Sequence, residues 1–310
     1  MKIVIAGGSG FLRHALTNAL ARERHDIVIL SRGAGRSGQD AGARFVQWVP
    51  NGRTGSWTRE VDGADGVVNL AGESIAGKRW TPEQKAAIQD SRVHATRSLV
   101  EAIKGAAVPP AVLVSGSAVG YYGPLGEEIA TEDTPPGSDF LARVCVRWEA
   151  EAQPASSRPT RVVCVRTGLV LDKRGGALPK MLLPFKLGVG GRVGSGRQYW
   201  PWIHVDDWVE LVRCSLVTTI ASGPVNATAP SPVTNAEFVR HLGQALHRPA
   251  FVPAPAFALR AALGEMADAL LLSGQRAVPA KAQKLGFTFR YSQLDEALRA
   301  IFGTYTPRAR

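Results

Sequence analysis

The sequence predicts an α/β fold, a doubly wound parallel sheet of the Rossmann kind, followed by a smaller, mostly helical C-terminal region. Three observations predict it. A strand, a glycine turn, a helix and a second strand fill the first 30 residues, which is a βαβ unit and therefore a parallel pair. Short β-branched runs then alternate with longer stretches of helical period as far as Arg166, the pattern of a sheet covered on both faces. After Gly168 the texture changes, and glycine and proline crowd residues 175–201.

Taken in order, Lys2 to Ala6 is a short buried strand that closes on glycine. Over residues 11 to about 24 the apolar Phe11, Ala15, Leu16, Ala19 and Leu20 keep a helical spacing, and 26–30 is the second strand. Residues 66–70 (GVVNL) form a strand. Residues 82–104 form a long helix that starts after Thr81 with Pro82 in its first turn. A strand over 111–115, a helix over 139–152 and a strand over 160–166 continue the alternation. Beyond lie a little helix at 178–186 in a long loop region, helices over 206–218 and 235–247, and a proline-spaced, mostly helical stretch over 249–302.

The chain has 310 residues, 45% hydrophobic and 20% charged, and can bury a sizeable core without disulfides or metals. Its three cysteines, Cys145, Cys164 and Cys214, are far apart. They make neither a disulfide framework nor a metal site, so a reducing, cytoplasmic setting is expected. The first apolar run stops at the glycines, too short for a signal peptide, and no run reaches the roughly 18 apolar residues of a membrane helix. No membrane partner is expected. The net charge of +11 is scattered from Arg13 to Arg310. A nucleic-acid binder concentrates its basic residues on one face, so no nucleic-acid partner is expected, and the charge reads as an arginine-rich solvated surface.

The strongest signal is Gly7-Gly8-Ser9-Gly10 between a strand and a helix, followed by Phe11 and Leu12. Gly7 allows a tight turn and Gly10 lets the backbone approach a pyrophosphate. The phosphates then meet unpaired N–H groups at a helix N-terminus. Arg13 stands where a third glycine is usual, and its side chain must bend outward or towards the ligand. At the end of the second strand an NAD site carries a carboxylate for the ribose 2′-OH. This chain has Ser31-Arg32 instead, and a guanidinium pairs with a 2′-phosphate. The expected cofactor is NADP.

Four stretches together resemble the extended short-chain dehydrogenase/reductases, the superfamily of nucleotide-sugar epimerases. They are Gly7 to Phe11, Asn69 to Gly72, Ser117 to Gly123, and Trp202 to Asp207. More narrowly the chain is similar to the atypical "epimerase family protein" group, through RWTPEQKAAIQDSR from Arg79, DFLARVCVRWE from Asp139, GSGRQYWPWIH from Gly194, and a C-terminal segment with Gly286-Phe287. The resemblance implies cofactor contacts at Leu70, Ala71 and Gly72, at Arg92 in place of an asparagine, at Ser115, and at Arg166 on the nicotinamide side. It implies a dinucleotide-binding domain over 1–168, completed by segments from 203–230, and a substrate-side cap region over 169–310.

One departure stands out. Typical members use Tyr-x-x-x-Lys, in which the lysine lowers the tyrosine's pKa. None of the five tyrosines here has a lysine four residues on. By alignment Leu141 and Cys145 occupy those slots, while the usual serine survives as Ser117. Candidates for the chemistry are Ser117 to orient a substrate carbonyl, and Cys145 or Tyr121 as a replacement proton donor. Cys145 also reads as a small buried core residue, and Tyr121 and Tyr122 as packing residues. His204 with Asp206 and Asp207 has no third ligand cluster, so no metal is expected and the stretch reads as a turn before a capped helix. Two functions remain open. One is an NADP(H)-dependent oxidoreductase or epimerase-like enzyme on a polar small molecule. The other is a non-catalytic NADP(H) sensor.

Overall fold

The computed structural model describes residues 1–7, 10–33, 42–219 and 221–303. A seven-stranded sheet organises the N-terminal two-thirds. Its strands are β1 (Lys2–Ala6), β2 (Asp26–Ser31), β3 (Ala43–Gln47), β4 (Gly66–Asn69), β5 (Val112–Ala118), β6 (Arg161–Thr167) and β7 (Gly223–Ala227). The spatial order is β7-β6-β5-β4-β1-β2-β3. From β3 across to β5 every pairing is parallel, with Ile3 opposite Ile27 on one side and Gly66 on the other. The strand order reverses direction at β1, the point where open sheets of this kind bind ligands beyond the strands' carboxyl ends.

The central strands are buried on both faces because both carry helices. Ile3 to Ala6 and Ile27 to Leu30 have no exposure at all, and burying each of the valine, isoleucine and leucine side chains among them contributes about 1.5–3 kcal/mol. Helix α1 (Phe11–Arg22) turns Leu16 and Leu20 onto the sheet. Helix α2 (Pro82–Gly105) begins where the Thr81 hydroxyl accepts from the Gln84 N–H at 3.2 Å, a cap worth about 1 kcal/mol. Helix α3 is Phe140–Ala152. β3 escapes the sequence pattern because it is a short, half-exposed edge strand whose ARFVQ breaks the apolar–polar alternation at Val46.

The chain divides into two compact units that interleave in sequence. The first comprises Met1–Tyr121, Arg143–Arg166 and Val209–Val225, and the second Tyr122–Ala142, Thr167–Trp208 and the residues from Asn226 onward. The second unit has its own apolar core, which includes Trp202, Phe238, Leu242 and Leu298. Helix α4 (Leu178–Lys186) lies in this unit, while α5 (Val205–Val217) runs from it into the first. Helix α6 (Asn235–Leu246) opens on a capping box between Thr234 and Glu237. Two buried acids tie loops together there. Glu132 accepts from the N–H groups of Asn226 and Lys281, and Asp207 accepts from those of Arg290 and Tyr291.

His204, also in the second unit, packs against the Tyr291 ring with centroids 4.1 Å apart. Its Nδ1 accepts from the Asp206 N–H at 3.1 Å. Burial lowers its pKa below the usual 6.5, although Asp206 and Asp172 act in the opposite direction. The folded state therefore favours the neutral ring, and the unfolded state binds the extra proton first. Stability is expected to fall as pH drops through 6.5, and thermal melts of a His204→Gln variant should lose that part of the pH dependence.

Candidate functional site

The carboxyl ends of β1, β4, β5 and β6 carry the residues of interest in the first unit. Gly7 leaves β1 with φ +117°, a conformation that side-chain-bearing residues rarely adopt. A Cβ there would stand 2.7 Å from the Leu70 carbonyl carbon and 2.8 Å from its oxygen. Glycine is thus required twice, by conformation and by contact. Gly8 and Ser9 lie outside the described residues. Gly10 is the extended residue that precedes α1. It brings no side-chain cap, no acid occupies the first turn, and a Cβ on it would meet nothing within 4 Å. Phe11 and Leu12, both half-buried, begin the helix with their backbone N–H groups in its first turn. This cradle fits a diphosphate.

Ser31 ends β2 half-buried and Arg32 beyond it is exposed. Arg13 does not bend outward. It is 2% exposed, with its guanidinium 5.9 Å from the Phe45 ring centroid and Nη2 2.8 Å from Nε2 of His14. An arginine fits where glycine is usual because the edge strand β3 offers an aromatic face for its cation.

Leu70 and Ala71 are half-buried and Gly72 is exposed. Their loop is shaped by Asn69, fully buried, whose Oδ1 accepts from the Ala71 N–H at 3.1 Å while its Nδ2 donates to Thr96 at 2.8 Å. Arg92 braces the same loop. Its Nη1 donates to the carbonyls of Glu73 (3.0 Å) and Ile88 (2.8 Å), and its guanidinium lies 5.1 Å from the Trp148 ring. Burial pulls its pKa down. A Cβ on Gly72 would press within 3.0 Å of it. Ser115 is fully buried inside β5.

The ends of β5 and β6 bring together a polar cluster. Ser117 Oγ donates to Glu149 Oε1 at 2.6 Å. Glu149, on α3, also receives Arg166 in a two-pronged pair, Nε to Oε1 and Nη2 to Oε2, both 2.8 Å. The Arg166 guanidinium covers the Tyr121 ring at 3.4 Å from its centroid. The side chains of Arg166 and Glu149 are 3% and 12% exposed. Gly116 between them and the core is a glycine because a Cβ would stand 2.9 Å from Trp148 and 3.1 Å from the Asn69 carbonyl.

Cys145 lies one turn before Glu149 and is buried. Burial first, and the Glu149 charge second, push its thiol up to about 12. A thiol so placed is a packing residue and not a ready proton donor. Sequence reasoning assigned no role to Glu149 or Asn69. The signal for Glu149 was its position four residues after Cys145 on one helix face, but its partners are distant in sequence. Tyr122 turns into the second unit, where its hydroxyl donates to Asn226 at 2.6 Å. Among the described residues no group of three or more His, Cys, Asp or Glu could hold a metal, and no helix is long and apolar enough to cross a membrane.

A strand–glycine–helix turn at the switch point of a parallel sheet, with a polar cluster on the same edge, defines a dinucleotide-binding protein of the Rossmann class. The chain belongs to the NAD dependent epimerase/dehydratase family, whose model matches residues 3–226. A second match, to a domain of unknown function (DUF1731), covers residues 254–301. The chain is 41% identical over 303 residues to the chloroplastic SDR39U1 homolog of Arabidopsis thaliana, covering 97% of this chain and 86% of that protein. It is 42% identical over 302 residues to the epimerase family protein YfhF of Bacillus subtilis, covering 97% and 98%. The crystal structure of human epimerase family protein SDR39U1 (isoform 2) with NADPH superposes with a TM-score of 0.88 at 35% identity, covering 98% of this chain and all of that one.

Proposed function

We propose that this protein is an NADP(H)-dependent oxidoreductase or epimerase-like enzyme that acts on a small polar molecule without a Tyr-x-x-x-Lys pair. The observation that carries the reading is the Ser117–Glu149–Arg166–Tyr121 cluster, placed at the sheet edge where the Gly7 turn would hold the cofactor. Gly7, Gly10 and the first turn of α1 hold the diphosphate, the loop from Leu70 to Gly72 runs along the dinucleotide, and Arg32 takes the 2′-phosphate. The bound nicotinamide supplies hydride transfer. Ser117 orients the substrate's carbonyl or hydroxyl oxygen, Glu149 takes the proton passed through the Ser117 hydroxyl when an alcohol is oxidised and returns it when a carbonyl is reduced, and Arg166 fixes the carboxylate. The NADP preference draws support from Ser31-Arg32 at the end of β2 and from the NADPH in the human relative's structure. A cytoplasmic site is part of this reading, supported by three free cysteines.

Titration with NADPH and NADH tests the cofactor assignment. NADPH should bind more tightly, and Arg32→Ala should weaken NADPH about 10- to 100-fold while leaving NADH unchanged. Equal affinities in the wild type would overturn it. With any carbonyl compound that the wild type reduces, Glu149→Gln should slow turnover about 100-fold or more at unchanged NADPH affinity. NADPH binding without hydride transfer to any member of a broad carbonyl and sugar-nucleotide panel would sink the enzymatic reading.

A further inference from the structure

The second unit presents a face that the proposed reaction does not use. Residues 173–205 contain Lys173, Arg174, Lys180, Lys186, Arg192 and Arg197, and residues 238–264 contain Arg240, His241, His247, Arg248 and Arg260. Arg174 is paired with Asp172 and Arg260 with Asp268, so the face is basic chiefly through Lys186, Arg192, Arg197, Arg240 and Arg248. Backbone contacts join the two stretches. The Val252 N–H donates to the Gly190 carbonyl at 3.0 Å and the Ala254 N–H to that of Arg192 at 2.8 Å. Gly191 permits the approach, since a Cβ there would lie 1.8 Å from the Val252 oxygen. Along this seam large apolar side chains stand out in the open. Leu187, Phe251 and Phe257 are 69%, 77% and 75% exposed, with Leu183 and Val189 more than half exposed beside them. Helix α7 (Ala256–Leu263), of sequence AFALRAAL, buries none of its residues. Next to Phe251 a shallow cavity of about 530 Å³ is lined by Arg240, Gly243, Gln244, His247, Arg248 and Ala250.

Apolar surface left open in this way marks a place of contact. Charge selects the occupant. A second copy would set a net-basic face against itself, where the like charges of Lys186, Arg192, Arg240 and Arg248 repel. A duplex would answer the arginines but give the phenylalanines no apolar partner, and a single strand, whose bases stack on exposed rings, would leave Leu183, Leu187 and Val189 in water. An anionic bilayer answers both, with phosphates for the cations and the acyl boundary for the protruding rings. We propose that this face of the second unit docks on an anionic lipid surface. Phe251, Phe257 and Leu187 enter the headgroup–acyl boundary, and a lipid phosphate sits in the cavity between Arg240 and Arg248. Such a peripheral contact needs no membrane-crossing run, so the lack of an apolar span in the sequence does not bear on it.

Co-sedimentation of the full chain with phosphatidylcholine vesicles, with and without phosphatidylglycerol, tests the proposal. The protein should partition onto the anionic vesicles alone and be released by raised salt. Phe251→Ser with Phe257→Ser, and separately Arg240→Gln with Arg248→Gln, should each lower partitioning by roughly tenfold or more. Both double variants should keep the wild-type melting temperature and NADPH affinity, because the altered side chains are exposed. Absence of binding to anionic vesicles, or undiminished binding by either variant, would overturn it. So would self-association that the Phe251→Ser, Phe257→Ser variant abolishes, which would give the face to a second copy. Duplex DNA binding as tight as that to the vesicles would also overturn it.

Discussion

Replacing either partner of the Arg166–Glu149 pair alone is expected to destabilise the fold by about 3–5 kcal/mol, and replacing both by apolar residues by far less than the sum. The pair is almost wholly removed from water. Arg166→Met leaves a buried carboxylate whose remaining described donor is Ser117, and Glu149→Leu leaves a buried guanidinium on the Tyr121 ring. The double variant removes both charges together. Denaturant unfolding of the three variants closes the cycle. A coupling near zero would mean that the interaction between the two side chains contributes nothing to the fold. The double variant serves a second purpose, because it keeps the dinucleotide turn while removing the proposed proton acceptor. Retained NADPH binding with lost hydride transfer in that variant would separate holding the cofactor from using it.

The second large effect is expected from the glycines of the turn, and it should split by position. Gly7→Ala should cost about 2–4 kcal/mol in stability and weaken NADPH at least tenfold. It forces a methyl group into a conformation reserved for glycine and against the Leu70 backbone, which has nowhere to go. Gly10→Ala should leave the melting temperature within about 2 °C of wild type, since φ is −79° and a Cβ there meets nothing of the protein. It should still weaken NADPH about tenfold, because the open space is where the diphosphate has to lie. Isothermal titration alongside thermal melts reads both quantities. Equal loss of stability in the two variants would mean that the Gly10 environment is packed and not open.

The parts of the site legible in the sequence were those that one strand and one turn build alone. Gly7 and Gly10 announce themselves because backbone conformation and close approach constrain residue type locally, and the β-branched runs of β1 and β2 announce a buried parallel pair. Arg13 was visible as an anomaly. Its resolution was not, because Phe45 stands on a short edge strand without a regular alternation and only the sheet order brings that strand beside α1. Cys145 shows a related gap. Its alignment with the missing lysine slot suggested chemistry, whereas burial beside the Glu149 charge makes it a protonated packing residue.

By itself, then, the sequence determined a doubly wound α/β fold with a dinucleotide turn, and a chain without the usual Tyr-Lys pair. Only the tertiary structure decided what stands at that sheet edge instead. Ser117 and Arg166 lie 32 and 17 residues from Glu149, on two strands and a helix. Spacing along a chain encodes which side chains share a strand or helix face. Which strands become neighbours, and so which side chains converge beyond their ends, follows from the order β6-β5-β4-β1 in the folded sheet.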